Sequence, residues 1–319
     1  MSGEMILKCR GLVKTYKPGE KPAVDGLDLE VRKNSVFGYL GPNGAGKTTT
    51  IKIMTGLIRS DEGTVWVGDK EVNRHSLQLR SRIGYLSQDP KYYSWMTGRE
   101  LLEFVGSVFG MSAAERRKRA DELLELAGLA DTGKKRISGY SGGMVQRIGI
   151  AQALVNRPEV LFLDEPVSAL DPIGRKEVLE FIDGLRDITT VFMSTHILSD
   201  VERVCDTVGI INKGKMIALE ETSALKQSFA PIKVELTFET GEDAKRFADL
   251  AAERGWKLET GKDGLDRTHR LTPADFSASR QDIIKVIADN SLSLNAMETK
   301  SATLEDIFVK MIQEEGLKI

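Results

Sequence analysis

Hydrophobic and polar positions change rhythm twice along this 319-residue chain. Up to about residue 220, short apolar runs alternate with helical patterns. "SVFGYL" (35–40) predicts a buried strand, and a helix follows from Lys47 to about Leu57. "VLFLDEP" (160–166) and "TTVFMSTH" (189–196) are further apolar runs, and "TVGIINKGKMIAL" (207–219) predicts a hairpin. Continuous apolar strands without alternation belong to parallel sheets covered on both faces. Between about Asp89 and Arg157 the strand signals stop. "TGRELLEFVGSVFG" opens with Thr97 three residues before Glu100, a capping-box spacing, and then turns apolar at helical intervals. "AAERRKRADELLELAGL" continues in the same way, so an all-helical insertion (about 89–157) is expected inside an α/β core.

After about Glu220 the period becomes two. In "PIKVELTFE", Ile232, Val234, Leu236 and Phe238 face one way and Lys233, Glu235 and Thr237 the other, as in a half-buried antiparallel strand. A helix (242–254), a weaker strand region (256–271), a helix (276–289), a strand (291–298) and a final helix (303–314) follow. The expectation is two domains, 1–220 and 221–319, the second a small α+β unit with a ferredoxin-like arrangement as its candidate.

Composition narrows the class without naming it. Hydrophobic (41%) and charged (29%) fractions are those of an ordinary soluble globular protein, and a net charge of -2 sets up no global field for nucleic acid. The basic run "ERRKR" (115–119) reads as a solvated helix face, because acids adjoin it. Cys9 and Cys205, without a His-rich neighbourhood, read as reduced thiols. With no apolar run near the eighteen or so residues of a membrane helix and no secretory leader, a cytosolic chain is expected. Any membrane contact would then come through a partner.

"GPNGAGKT" (41–48) has the P-loop spacing and lies between a predicted strand and a predicted helix. Gly41, Gly44 and Gly46 let the backbone curl its N–H groups toward phosphate oxygens, and the helix N-terminus adds partial positive charge. Lys47 would reach the β- and γ-phosphates and Thr48 would ligate Mg²⁺. The strand "VLFLDEP" delivers Asp164 to the metal shell, and Glu165 beside it is placed to polarise a water for in-line attack. A small GTPase would need Asn-Lys-x-Asp, and "NKGK" (212–215) lacks the Asp. "YSGGMVQR" (140–147) supplies a second glycine-softened helix start with a hydroxyl. One phosphate has no use for two separated cradles from one chain, whereas two chains arranged head to tail would close each turn over the other's nucleotide.

With these motifs in order, residues 5 to 220 resemble the ATP-binding cassette (ABC) family of transporter ATPases. The resemblance implies a P-loop NTPase fold: a RecA-like core, an antiparallel β subdomain and an inserted α-helical subdomain. It assigns ATP and Mg²⁺ as cofactors. "GPNGAGKTT" matches Walker A, so Gly41, Pro42, Asn43, Gly44, Ala45, Gly46, Lys47, Thr48 and Thr49 are implied nucleotide contacts. Tyr16 sits where the family stacks a ring on adenine. Gln88 in "YLSQDP" matches the Q-loop, implied in catalysis and at the metal. Ser141, Gly142 and Gly143 match the signature, "VLFLDEP" Walker B, "SALD" with Asp171 the D-loop, and His196 the switch histidine that contacts the γ-phosphate. Glu165, His196, Lys47 and Gln88 are thus the implied catalytic set, with Thr48, Gln88 and Asp164 at the metal. Met144 departs from the family's usual Gln, which puts the strength of closure in question. His75 and His269 are taken as surface residues.

The family also implies partners: a second, identical subunit and a transmembrane permease. "DPKYYSWMTGRELLEF" would receive the permease's coupling helix; its Tyr92, Tyr93, Trp95 and Met96 either form an exposed hot spot or close the helical subdomain's core. "SATLEDIFVKM" (301–311) resembles cassettes of ABC-2-type exporters. Thr303 with Asp306 gives a cap-like start, and Leu304, Ile307, Phe308 and Met311 form a stripe for core packing or dimer contact. The expected function is an ATP-hydrolysing export subunit, peripheral on the cytoplasmic face of the membrane and without nucleic acid. The alternatives are a soluble ABC ATPase acting on ribosomes or nucleic acid, and a non-hydrolysing regulatory module.

Overall fold

A computed structural model describes residues 4–72, 77–224, 233–260, 267–271 and 276–300. The chain divides into two compact units, Met1–Thr222 and Ser223–Ile319. In the first, an antiparallel sheet runs in the order β2 (Val24–Arg32), β1 (Met5–Lys14), β4 (Glu62–Val67), β5 (Lys70–Glu71). A six-stranded sheet has the order β10-β9-β3-β8-β7-β6, from β3 (Val36–Leu40), β6 (Ile83–Leu86), β7 (Val160–Asp164), β8 (Thr190–Thr195), β9 (Thr207–Asn212) and β10 (Lys215–Glu221). Only β10 in it runs antiparallel, as a hairpin with β9. Every residue of β3, β7 and β8 is buried, which is why their sequences show no alternation.

Both sheets share one core. Leu7, Leu27 and Leu29 of the first join Phe37, Tyr39, Phe162 and Phe192 of the second and Ile51 and Met54 of α1 (Lys47–Met54). The Phe192 ring lies 5.2 Å from Phe37 and from Tyr39 and 5.5 Å from Phe162, which keys β3, β8 and β7 together. Burying each such ring contributes roughly 1.5–3 kcal/mol. Register aligns the strand ends: Leu40 pairs with Thr195 and Asp164 with Ser194. The segments that follow β3, β7 and β8 therefore leave the sheet at one level, its carboxyl edge, where ligands bind in such sheets.

α1 stops at Met54, short of the expected Leu57. Gly56 takes φ 68° and Leu57 N donates back to Lys52 O at 2.9 Å, a left-handed stop that leaves Leu57 outside. α2 (Leu77–Arg82) precedes β6. No strand lies between β6 and β7 among the described residues; α3 (Gly98–Val108), α4 (Ala113–Leu126) and α5 (Gly142–Ala153) occupy that stretch. α6 (Pro172–Asp183) follows β7, and α7 (Leu198–Val204) follows β8. The basic run on α4 is not wholly a solvated face. Arg117 and Lys118 are exposed, but Arg119 turns in, donating to Leu154 O at 2.6 Å and Val155 O at 3.3 Å just past α5. Burial lowers its pKa.

The second unit runs β11 (Lys233–Phe238), α8 (Gly241–Glu253), β12 (Leu258–Thr260), β13 (Thr268–Leu271), α9 (Phe276–Asp289), β14 (Leu294–Lys300). Its antiparallel sheet has the order β12-β13-β11-β14, and the β-α-β-β-α-β succession is that of a ferredoxin-like unit. Val234, Leu236 and Phe238 pack on Phe247, Ala251, Ile283 and Val286, a core of their own. His269 is not a surface residue: it is 7% exposed, donates Nε2–H to Ala244 O at 2.9 Å and faces the rings of Phe238 and Phe247. The ring supplies apolar area while one nitrogen reaches a carbonyl, which lets it lie inside. His75, Ile232 and the predicted helix 303–314, with Thr303, Leu304, Asp306, Ile307, Phe308 and Met311, lie outside the described residues.

Candidate functional site

The turn after β3 is forced into shape by its glycines. Gly44 and Gly46 take φ 80° and 107°, and a Cβ on Gly46 would meet Ala23 O at 2.2 Å. One on Gly41 would meet Ile211 O at 2.4 Å. α1 starts without a side-chain cap and without an acid in its first turn. Its leading N–H groups and positive end are left for an anion.

Lys47 is 6% exposed, and its ammonium donates to Gly41 O at 2.7 Å and Pro42 O at 3.2 Å. It also lies 3.1 Å from Glu165 Oε1, and His196 Nδ1 holds the other oxygen at 2.7 Å. Glu165 has φ 51°, left-handed backbone that costs a non-glycine residue about 1–3 kcal/mol. Ser194 holds it there, its carbonyl and hydroxyl both accepting from Glu165 N, at 3.2 and 3.0 Å. The same hydroxyl donates to Asp164 Oδ1 at 2.7 Å, which also accepts from Thr48 Oγ1 at 3.2 Å.

Residues 43–49, Gln88 and Glu165 line one cavity of about 360 Å³, together with Ala23. Asp164 joins them through Thr48, and His196 through Glu165. Tyr16 stands at the side, 58% exposed, its hydroxyl 3.2 Å from Thr49 Oγ1. Ser141, Gly142, Gly143 and Asp171 are not among the residues lining this cavity. Ser141 caps α5, accepting from Met144 N at 3.3 Å, and Asp171 caps α6, accepting from Gly174 N at 2.9 Å. Ser141 and Gly142 are exposed, Met144 is half-buried, and Gly143 is buried where α5 passes Gly174. The aromatic stretch divides. Tyr92 packs against Gly149 and Met96 is buried, whereas Tyr93 and Trp95 are 61% and 64% exposed with rings 5.8 Å apart.

Ala23 and Ser194 are the site residues that the sequence did not disclose. Ala23 acts through its carbonyl, which any residue carries. Ser194 sits in the "STH" stretch, but its partners lie about 30 residues away along the chain.

The half-buried Thr48 and the buried Asp164 bring two oxygen ligands together, a donor set suited to a hard cation. Among the described residues no group of three or more His, Cys, Asp or Glu forms a cage.

A model of the ABC transporter family matches residues 24–168. The chain is 37% identical over 312 residues to the ABC transporter ATP-binding protein YxlF of Bacillus subtilis (strain 168), spanning 96% of this chain and 99% of that protein. It is 34% identical over 313 residues to the bacitracin transport ATP-binding protein BcrA of Bacillus licheniformis, 96% of this chain and 97% of that one. A solved dimer of the ATP-binding cassette MJ0796, in a post-hydrolysis state bound to ADP and Pi, is similar with a TM-score of 0.61 at 28% identity. That likeness covers 68% of this chain and 99% of the other.

Proposed function

This chain belongs to the family of ABC transporter ATP-binding proteins and binds and hydrolyses ATP, and we propose that two copies of it drive export through a separate ABC-2-type permease. The observation that carries this reading is the meeting of Lys47, Glu165 and His196 beyond the carboxyl ends of three neighbouring strands. The amides of 43–48 and Lys47 hold the phosphates, and Tyr16 stacks on the adenine. Thr48 and Asp164, with Gln88 at the cavity wall, would hold Mg²⁺, whose charge would screen the phosphate oxygens. Glu165 takes the proton of the attacking water once Lys47 has turned to phosphate, and His196 orients it and meets the γ-phosphate.

Ser141, Gly142, Gly143 and Asp171 serve the second copy's nucleotide. The exposed Ser141 and Gly142 at the start of α5, outside this chain's own cavity, and the dimeric ADP- and Pi-bound relative support head-to-tail closure. Among the described residues no helix is long and apolar enough to cross a membrane. Likeness to a bacitracin transport ATP-binding protein supports a place at the cytoplasmic face, beside the permease. Tyr93 and Trp95 are the exposed aromatics for the permease to bury. Likeness to a bacitracin transport subunit over 96% of the chain favours transport over work on ribosomes or nucleic acid.

Phosphate release by Glu165→Gln tests the assignment: it is expected to fall at least about a hundredfold while ATP binding persists. ATP should also bring this variant to a dimer in light scattering, and Lys47→Ala should bind little nucleotide. Turnover at the wild-type rate in Glu165→Gln would remove Glu165 from its role.

A further inference from the structure

We propose that Arg175 and Asp200 are positioning residues for hydrolysis, a partly buried ion pair between α6 and α7 that orients the loop carrying His196. The inference rests on the reading of His196 as a γ-phosphate contact. Asp200 is 1% exposed in the first turn of α7, four residues after His196. Its Oδ1 accepts from Arg175 Nε at 2.6 Å, and Nη2 of the same guanidinium lies within ion-pair distance, also 2.6 Å away. Its Oδ2 accepts from Thr195 Oγ1 at 3.4 Å, and that hydroxyl accepts from Ile197 N at 3.0 Å. Both neighbours of His196 are thereby fixed. Arg175 also reaches the first turn of α7 at a second point, donating Nη2–H to Ser199 Oγ at 2.9 Å.

The other end of the pair leads to the turn after β7. Arg175 N donates to Asp171 O at 2.9 Å, and Ser168 Oγ donates to Glu165 O at 3.2 Å. One bonded path thus runs from Asp171 through Arg175, Asp200 and Thr195 to His196, and His196 returns to Glu165. His196 has a side chain 39% exposed, and Ile197 begins α7 without a side-chain cap. An apolar pair of equal volume would fill the space between the helices as well. The planar guanidinium adds direction: its fork fixes the carboxylate, and with it the loop. Burial raises the pKa of Asp200, and the bonds from Arg175 pull it back.

The test measures ATP turnover, ATP KM and melting temperature in the full-length chain. The double variant Arg175→Gln, Asp200→Asn leaves no buried charge unpaired. It is expected to lose about tenfold in kcat, the scale of a small misplacement at the reacting centre, with KM unchanged. Arg175→Lys keeps the charge but not the fork and should fall between this and wild type. In a His196→Ala background the double change should cost nothing further, because its effect passes through His196. Multiplying losses in that background, or a raised KM with intact kcat, would overturn the coupling alone. A His196→Ala chain with wild-type turnover would overturn the coupling and the reading of His196 together. Should the double variant fail to fold, Arg175→Lys in the same two backgrounds decides between these outcomes.

Discussion

A single methyl group on Gly46 is the smallest change expected to close the nucleotide site. At φ 107° an L side chain costs roughly 1–2 kcal/mol, and the Cβ would also drive into Ala23 O, 2.2 Å away. Gly46→Ala should therefore lower the melting temperature and abolish ATP binding in calorimetry; wild-type affinity would show that the turn rearranges freely. Positions of this kind are legible in a sequence because backbone geometry dictates the residue type and its spacing. Lys47, Thr48, Asp164 and Glu165 follow from the same logic, as glycines and an apolar strand announce them. Ser194 does not, since a serine at a strand end carries no mark of the two carboxylate residues it serves. His269 misleads for the opposite reason. Its neighbours Thr268 and Arg270 are polar, and only the distant Phe238, Phe247 and Ala244 O make an interior for it.

At the scale of the element, what is local could be read and what is distant could not. Thr97 and Glu100 bond reciprocally at the start of α3, Thr97 N to Glu100 Oε2 at 2.8 Å and Glu100 N to Thr97 Oγ1 at 3.2 Å. Ser112 and Glu115 repeat the arrangement on α4. The Thr97 backbone N–H and hydroxyl hold the Glu100 carboxyl below the ordinary glutamate range, and Ser112 does the same for Glu115. A carboxyl lowered on folding contributes stability above its unfolded pKa and loses it as pH falls through the folded value. Acid should thus fray the first turns of α3 and α4, seen as faster amide exchange there. Thr97→Ala should cost about 1 kcal/mol near neutral pH and blunt that acid response on α3. Equal acid sensitivity in the variant would separate the capping box from the effect. Arg119 was not readable as a helix closer, because the carbonyls it meets are 35 and 36 residues on.

For the whole molecule, the change of period near residue 220 exposed two kinds of architecture, and each unit has a core of its own. The strand order β10-β9-β3-β8-β7-β6 was beyond reach of periodicity, since β8 enters between β3 and β7 through pairings over 150 and 30 residues apart. Separate cores make a further outcome testable. Phe247→Ala should destabilise the second unit by about 3–5 kcal/mol. ATP affinity, set by residues of the first, should stay unchanged in the same samples; a parallel loss of affinity would show the units to be thermodynamically one. Consider, last, that Lys47 and Glu165 lie 3.1 Å apart, cation against carboxylate. A triphosphate that takes the Lys47 ammonium competes with that carboxylate for it, so loading the motor is an exchange of anions. The cation that grips the fuel is the one that neighbours the base, so charging and arming become a single event.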